Sequence, residues 1–104
     1  MSVTRPMLLQ QDMIDLLAKS MRPSGQAIES RVGDETVLLH LESGAYYGLD
    51  TVGTRIWELL KQGIDPRAIC GQITRESEAE AECVEDDVRR FLEELEAKRI
   101  VVAV

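Results

Sequence analysis

The spacing of apolar positions along this chain changes twice. From Ala27 to Val32 apolar and polar residues alternate loosely, the two-residue repeat of a strand. Gly33-Asp34 is a pair of the kind that closes tight hairpins, and Thr36 to Leu41 forms a second strand. Its Val37-Leu38-Leu39 run is too continuous for a half-solvated face and predicts burial on both sides. Glu42-Ser43-Gly44 turns the chain, and Ala45 to Leu49 supplies a short third strand. The expected product is a three-stranded antiparallel meander.

After Asp50-Thr51 the repeat becomes helical. Val52, Ile56, Leu59 and Leu60 form one stripe of a first helix, capped at Asp50 or Thr51 and stopped near Gly63. Asp65-Pro66 opens a second helix, an N-cap followed by proline at the first helical position, which buries Ile69 and Ile73. Arg75 to Glu82 reads as a loop or as an early turn of the next helix. In the third helix Val84, Val88, Phe91, Leu92 and Leu95 make an apolar stripe through a strongly charged segment. Ile100 to Val104 leaves as an extended apolar tail. Upstream, Leu9, Met13, Leu16 and Leu17 predict an amphipathic helix within Leu9 to Met21, broken at Pro23-Ser24-Gly25. Residues 1–26 are therefore an N-terminal extension and 27–104 the domain proper. The extra helix either docks on its own domain or serves a partner.

A chain of 104 residues has room for one core. The net charge of −7, with 19 acidic against 12 basic residues, weighs against nucleic acid, whose binding needs cations to displace condensed counterions. Cys70 and Cys83 are not spaced as C-x-x-C, and with His40 the only histidine no zinc set forms. They are expected as reduced, buried or half-buried thiols in a cytoplasmic protein. No secretory signal and no stretch of about 20 apolar residues is present.

Candidate catalytic groups come to little. His40 sits between Leu39 and Leu41 with no nucleophile in a recognisable setting, and reads as a surface or cross-strand histidine. Asp86 and Asp87 are adjacent on a helix and point about 100° apart, so they cannot share a substrate. Gly44, Gly48 and Gly53 fit neither a P-loop nor a dinucleotide fingerprint. The residues give no catalytic set, metal ligands or cofactor site. What they do offer is an edge: the third strand ends the meander and can accept an extended peptide by main-chain pairing.

The block from Thr36 to Leu60, with its Glu-Ser-Gly-Ala-Tyr-Tyr-Gly-Leu-Asp core, resembles the PqqD-like family, also called RiPP recognition elements. Asp87-Val-Arg-Arg-Phe-Leu-Glu-Glu-Leu95 and Arg99-Ile-Val101 follow in matching order. Trp57 and the Tyr46-Tyr47 pair are more similar to members of lasso-peptide systems than to the pyrroloquinoline quinone protein. The resemblance implies an α+β, winged-helix-like domain with a three-stranded sheet followed by three helices. It also implies a non-enzymatic peptide chaperone that binds the leader peptide of a ribosomally made precursor as an added strand. The bound precursor is then presented to a maturation enzyme, a leader peptidase or a radical SAM enzyme. Carried over by position, Ala45, Tyr46, Tyr47, Gly48 and Leu49 form the strand wall of the peptide site, and Asp87, Arg90, Phe91 and Glu94 the helix wall. The competing class, a winged-helix DNA-binding regulator, requires a cationic recognition helix; the third helix here is acidic.

Overall fold

The computed structural model describes residues 20–103. Its elements run β1 (Met21–Pro23), β2 (Ala27–Val32), β3 (Glu35–His40), β4 (Tyr46–Leu49), α1 (Thr51–Lys61), α2 (Pro66–Glu76), α3 (Ala81–Ala97) and β5 (Val101–Ala103). β2, β3 and β4 form the expected antiparallel meander, in that spatial order, and β1 pairs with β5 in a separate two-stranded sheet. The α+β architecture of three strands followed by three helices therefore holds. The expected N-terminal helix, Leu9 to Met21, lies outside the described residues except for its last two, Ser20, which belongs to no element, and Met21, which opens β1.

The first hairpin turns on Gly33, whose φ of +62° is a conformation that glycine adopts without steric cost. In β3 the side chains divide cleanly. Thr36, Leu38 and His40 are buried on one face, whereas Val37 and Leu39 are only half-buried on the opposite face. The expectation of burial on both sides is thus corrected: among the described residues, all helices pack on one face. The continuous apolar run leaves an apolar outer face instead of a double-sided core.

Strand β4 passes directly into α1 because the Asp50 carboxylate accepts the Gly53 N–H at 2.7 Å, satisfying a free donor of the first turn. The buried stripe of α1 is Gly53, Ile56, Trp57 and Leu60, with Thr54 and Leu59 beside it. Val52, expected on this stripe, is exposed, since the junction turns the Gly53 side inward. At the other end, the Ile64 N–H reaches the Leu59 carbonyl and Gly63 takes positive φ, the glycine stop read from the sequence. Asp65 is the N-cap position of α2, but its side chain makes no cap bond and instead accepts the Ser20 hydroxyl. Helix α2 ends at Glu76 and α3 starts at Ala81, which resolves the intervening acidic segment largely into a connection.

Val84, Val88, Leu92 and Leu95 of α3 enter the common core with Ile69, Cys70 and Ile73 of α2. Burial pushes the Cys70 thiol up, the state of an inert core cysteine. Cys83, expected to be at least half-buried, is exposed. The apolar tail also has a partner. Ile100 and Val101 are buried, and β5 returns alongside β1 with Met21 opposite Ala103. That return needs a reversal at the end of α3, where Arg99 adopts φ +62° and the Ile100 N–H bonds the Leu95 carbonyl at 2.8 Å. Ser24 fixes it by donating its hydroxyl to the Arg99 carbonyl and its N–H to the Ile100 carbonyl.

Ion pairs tie the exterior together. Glu29 on β2 accepts the Trp57 indole N–H at 3.1 Å and the Lys61 ammonium at 2.8 Å. Partial burial raises the Glu29 pKa, but those two bonds and the charges of Lys61 and Arg31 outweigh it and leave it lowered. Arg31 reaches Glu58, and Arg55 forms a two-point contact with Glu76 that links α1 to α2.

Two expectations follow. Met21→Ala removes a core side chain and should cost about 2–5 kcal/mol in urea unfolding; a loss within error would show that the Met21 side chain contributes nothing to the core. Hydrogen bonds from Arg55, then Gln72, hold the Glu76 carboxyl at about 2, below its ordinary 4.5. A lowered folded-state pKa contributes stability that is complete above 4.5 and lost as pH falls toward about 2. Thermal melts across that window should therefore fall more steeply for the wild type than for Glu76→Gln, and parallel curves would disprove the contribution.

Candidate functional site

The β3–β4 hairpin sets which backbone groups remain open. His40 N donates to the Ala45 carbonyl at 2.9 Å across the turn, so His40 and Ala45 are a hydrogen-bonded pair. Such pairs alternate in an antiparallel ladder. With Leu38 opposite Tyr47 and Thr36 opposite Leu49, Tyr47 and Leu49 give their backbone groups to β3. Tyr46 and Gly48 therefore direct theirs away from the sheet.

His40 itself serves this turn. It is buried, correcting the surface alternative; the cross-strand part of that expectation stands, with Ala27 its partner on β2. Its Nδ1 lies 2.9 Å from the Ser43 hydroxyl and accepts the Ser43 N–H at 3.3 Å. The other ring nitrogen, Nε2, is buried without a partner. The Ser43 hydroxyl in turn accepts the Ala45 N–H. Gly44, at φ +73°, completes a turn that delivers β4 in fixed register.

Beside the open edge of β4 lies a cleft of about 450 Å³ lined by Tyr46, Tyr47, Gly48, Leu49, Asp50, Gly53, Phe91, Glu94 and Leu95. One wall is the strand and the other is α3. Alternation along β4 turns Tyr47 and Leu49 toward the helices and the 70% exposed Tyr46 ring to the outer face. Tyr46 and Gly48 thus border the cleft chiefly through the strand edge. The Lys98 ammonium sits 5.2 Å from the Tyr47 ring centroid, within cation–π range, and lies 3.8 Å from Glu94.

Six of the residues carried over from the family pattern, Tyr46, Tyr47, Gly48, Leu49, Phe91 and Glu94, line this cleft. Ala45, Asp87 and Arg90 do not. The Ala45 carbonyl is turned to β3. Asp87 is exposed, one helical turn before Phe91 on the same face. Arg90 is bound at 2.8 Å by Asp86, which also pairs with Arg89. Asp50, Gly53 and Leu95 were missed. Gly53 carried a readable signal, since a glycine in a helical first turn sacrifices helix propensity and marks close approach. A Cβ there would stand 3.2 Å from both Phe91 Cε1 and Asp50 Oδ1.

The model of the family described as coenzyme PQQ synthesis protein D (PqqD) matches residues 35–101. The chain belongs to the PqqD family. The match begins at β3 and ends in β5, so it includes the cleft and leaves out β1 and β2. Among solved structures the chain is similar to TbiB1 in complex with the TbiA(beta) leader peptide, with 41% identity and a TM-score of 0.73. That similarity covers 77% of this chain and 93% of TbiB1. A lasso peptide synthetase B1 complexed with its leader peptide has the same fold, at 23% identity and TM-score 0.73, over 80% of this chain and 98% of the other. No curated protein matches. Among the described residues no helix is long and apolar enough to cross a membrane, and no three metal-ligating side chains cluster.

The Gly53 contact gives a test of how the cleft is built. In Gly53→Ala a gain of about 1 kcal/mol in helix propensity opposes crowding against Phe91 and the Asp50 cap. Stability should change by less than about 1 kcal/mol, while the Phe91 ring resonances shift in NMR spectra. Unmoved Phe91 signals would mean that this approach does not shape the cleft.

Proposed function

We propose that this PqqD-family protein binds the leader peptide of a ribosomally synthesised precursor as an added strand on β4. It then presents the attached core peptide to a separate maturation enzyme. The observation that carries this reading is that the outward N–H and C=O groups of Tyr46 and Gly48 border a cleft whose far wall is α3. A peptide laid antiparallel or parallel to β4 would pair with those groups, and its alternate side chains would enter the apolar space between Tyr47, Leu49, Phe91 and Leu95. Glu94 and Lys98 at the rim, with Asp87 and Arg90 along α3, are the charged groups that would select leader sequence and steer encounter.

The 41% identity to TbiB1, a protein solved with a leader peptide, supports the leader as ligand and a lasso-peptide type of pathway. The activity is binding and presentation, with no catalytic residues assigned and no cofactor or metal required. The enzyme that receives the complex is a leader peptidase or a radical SAM enzyme, and the assembly works in the cytoplasm. The DNA-binding alternative is not favoured: the exposed face of α3 carries Asp87, Glu93 and Glu94, which would meet phosphates with like charge.

Fluorescence polarisation with the leader of the chain's cognate precursor tests this. The full chain should bind the isolated leader without the core peptide, and absence of binding at about 100 μM, with the fold intact, overturns the reading. The ladder phase sharpens the site. Gly48→Pro removes an outward N–H, is compatible with an edge strand, and should weaken binding by about tenfold or more while the circular dichroism spectrum holds. Tyr47→Pro removes a bond to β3 and should damage the fold itself. Normal binding by a folded Gly48→Pro protein would place the peptide elsewhere.

A further inference from the structure

The meander has a second edge. The Leu41 N–H donates to the Gln26 carbonyl at 2.8 Å, and this fixes the phase of the β2–β3 ladder. Ile28 with Leu39, Ser30 with Val37, and Val32 with Glu35 are then the hydrogen-bonded pairs. Glu29 and Arg31 direct their backbone N–H and C=O groups outward, and among the described residues no strand pairs with them. Natural edge strands commonly blunt such a row with charged side chains, proline or a bulge. This one carries one charge of each sign, an exposed serine between them, and flanking Ile28 and Val32 that are 55% and 61% exposed.

We propose that this edge pairs with the β2 edge of a second copy of the chain, antiparallel and centred on Ser30. The register follows from the phase. Ala27 faces outward with Glu29 and Arg31, and only outward-facing residues can exchange hydrogen bonds, so the two-fold axis falls between Ala27 and Arg31; within Ala27–Val32 only axes at Glu29 and Ser30 pair more than three residues of each strand. An axis at Glu29 or at Arg31 sets two like charges directly opposite each other, which is destabilising. An axis at Ser30 sets each Glu29 opposite the other copy's Arg31 and each Ile28 opposite the other copy's Val32. Glu29 and Arg31 keep their own partners Lys61 and Glu58, and this register sets each beside the opposite charge of the other copy, so backbone, charge and apolar positions match together. The contact is isologous and closes at two copies. It joins two meanders into one six-stranded sheet and leaves both β4 edges at its ends, so it does not compete with the cleft.

Sedimentation velocity of the full chain from about 1 μM to about 1 mM spans the Kd range of weak contacts and should show a monomer–dimer equilibrium. Ser30→Lys places two ammonium groups against each other across the axis, at an exposed position, and should weaken association by about tenfold. Cysteine cross-linking then reads the register, in a Cys83→Ser background to remove the exposed thiol. Non-hydrogen-bonded partners have Cα atoms about 4.5 Å apart, within disulfide range. Ser30→Cys should therefore oxidise to a covalent dimer. Ile28→Cys should not, because its symmetry mate lies about 13 Å away along the strand; mixed with Val32→Cys it should give the heterodimer. A chain that stays monomeric throughout, a Ser30→Lys protein that associates like the wild type, or equal cross-linking at positions 28 and 30 overturns the proposal.

Discussion

A strand in an antiparallel ladder can satisfy only half of its backbone groups with one neighbour; the other half must find another partner or water. In this molecule that constraint acts at both ends of a three-stranded sheet. On β4 the phase is set by the His40–Ala45 closing pair, which depends on the buried His40 ring holding Ser43 and on Gly44 taking positive φ. On β2 it is set by the Leu41–Gln26 bond. Shifting either ladder by one residue would exchange the open groups and turn every side chain to the other face.

The remaining contacts keep one of these edges beside a helix. Asp50 caps α1 immediately after β4, so the strand cannot move without the helix. Gly53 lets the first turn of α1 approach Phe91 and brings α3 close enough to form the second wall of the cleft. Behind that wall, Val88, Leu92 and Leu95 are buried in the common core. The turn at Arg99 and the β1–β5 pairing anchor the C-terminal end of α3. A non-glycine residue in the left-handed region costs about 1–2 kcal/mol, and the two bonds from Ser24 to this turn help offset it. The cleft is thus a consequence of core packing, with few side chains devoted to it alone.

The strand–strand–strand–helix–helix–helix order was legible because each element carries its own periodicity and punctuation: Gly33-Asp34, Asp50, Gly63, and Asp65-Pro66. The strand side of the cleft was legible for the same reason, since an edge is a property of strand order. The helix side was read less well. Asp87 and Arg90 were placed by position in a family pattern, yet Arg90 is occupied by Asp86 and the cleft-facing series continues through Phe91, Glu94 and Leu95. Helical spacing alone marks one apolar stripe and does not show which flank of it meets the sheet. The β1–β5 pair was not legible at all. Two three-residue strands lie at opposite ends of the described residues, and one contains proline.

By itself the sequence determined the class of fold, the order and approximate ends of the elements, the family resemblance, and the acidity that weighs against nucleic acid. Those properties are local or compositional, fixed by residue periodicity, capping chemistry and charge count. Tertiary structure decided which faces those elements bury: His40 inward, Val52 outward, Val37 and Leu39 left half-covered. It also decided which backbone groups on β2 and β4 stay unpaired. Burial and ladder phase are relations between segments distant in the chain. They are settled only when the hairpins, the capped junction and the returning C-terminal strand compete for one core.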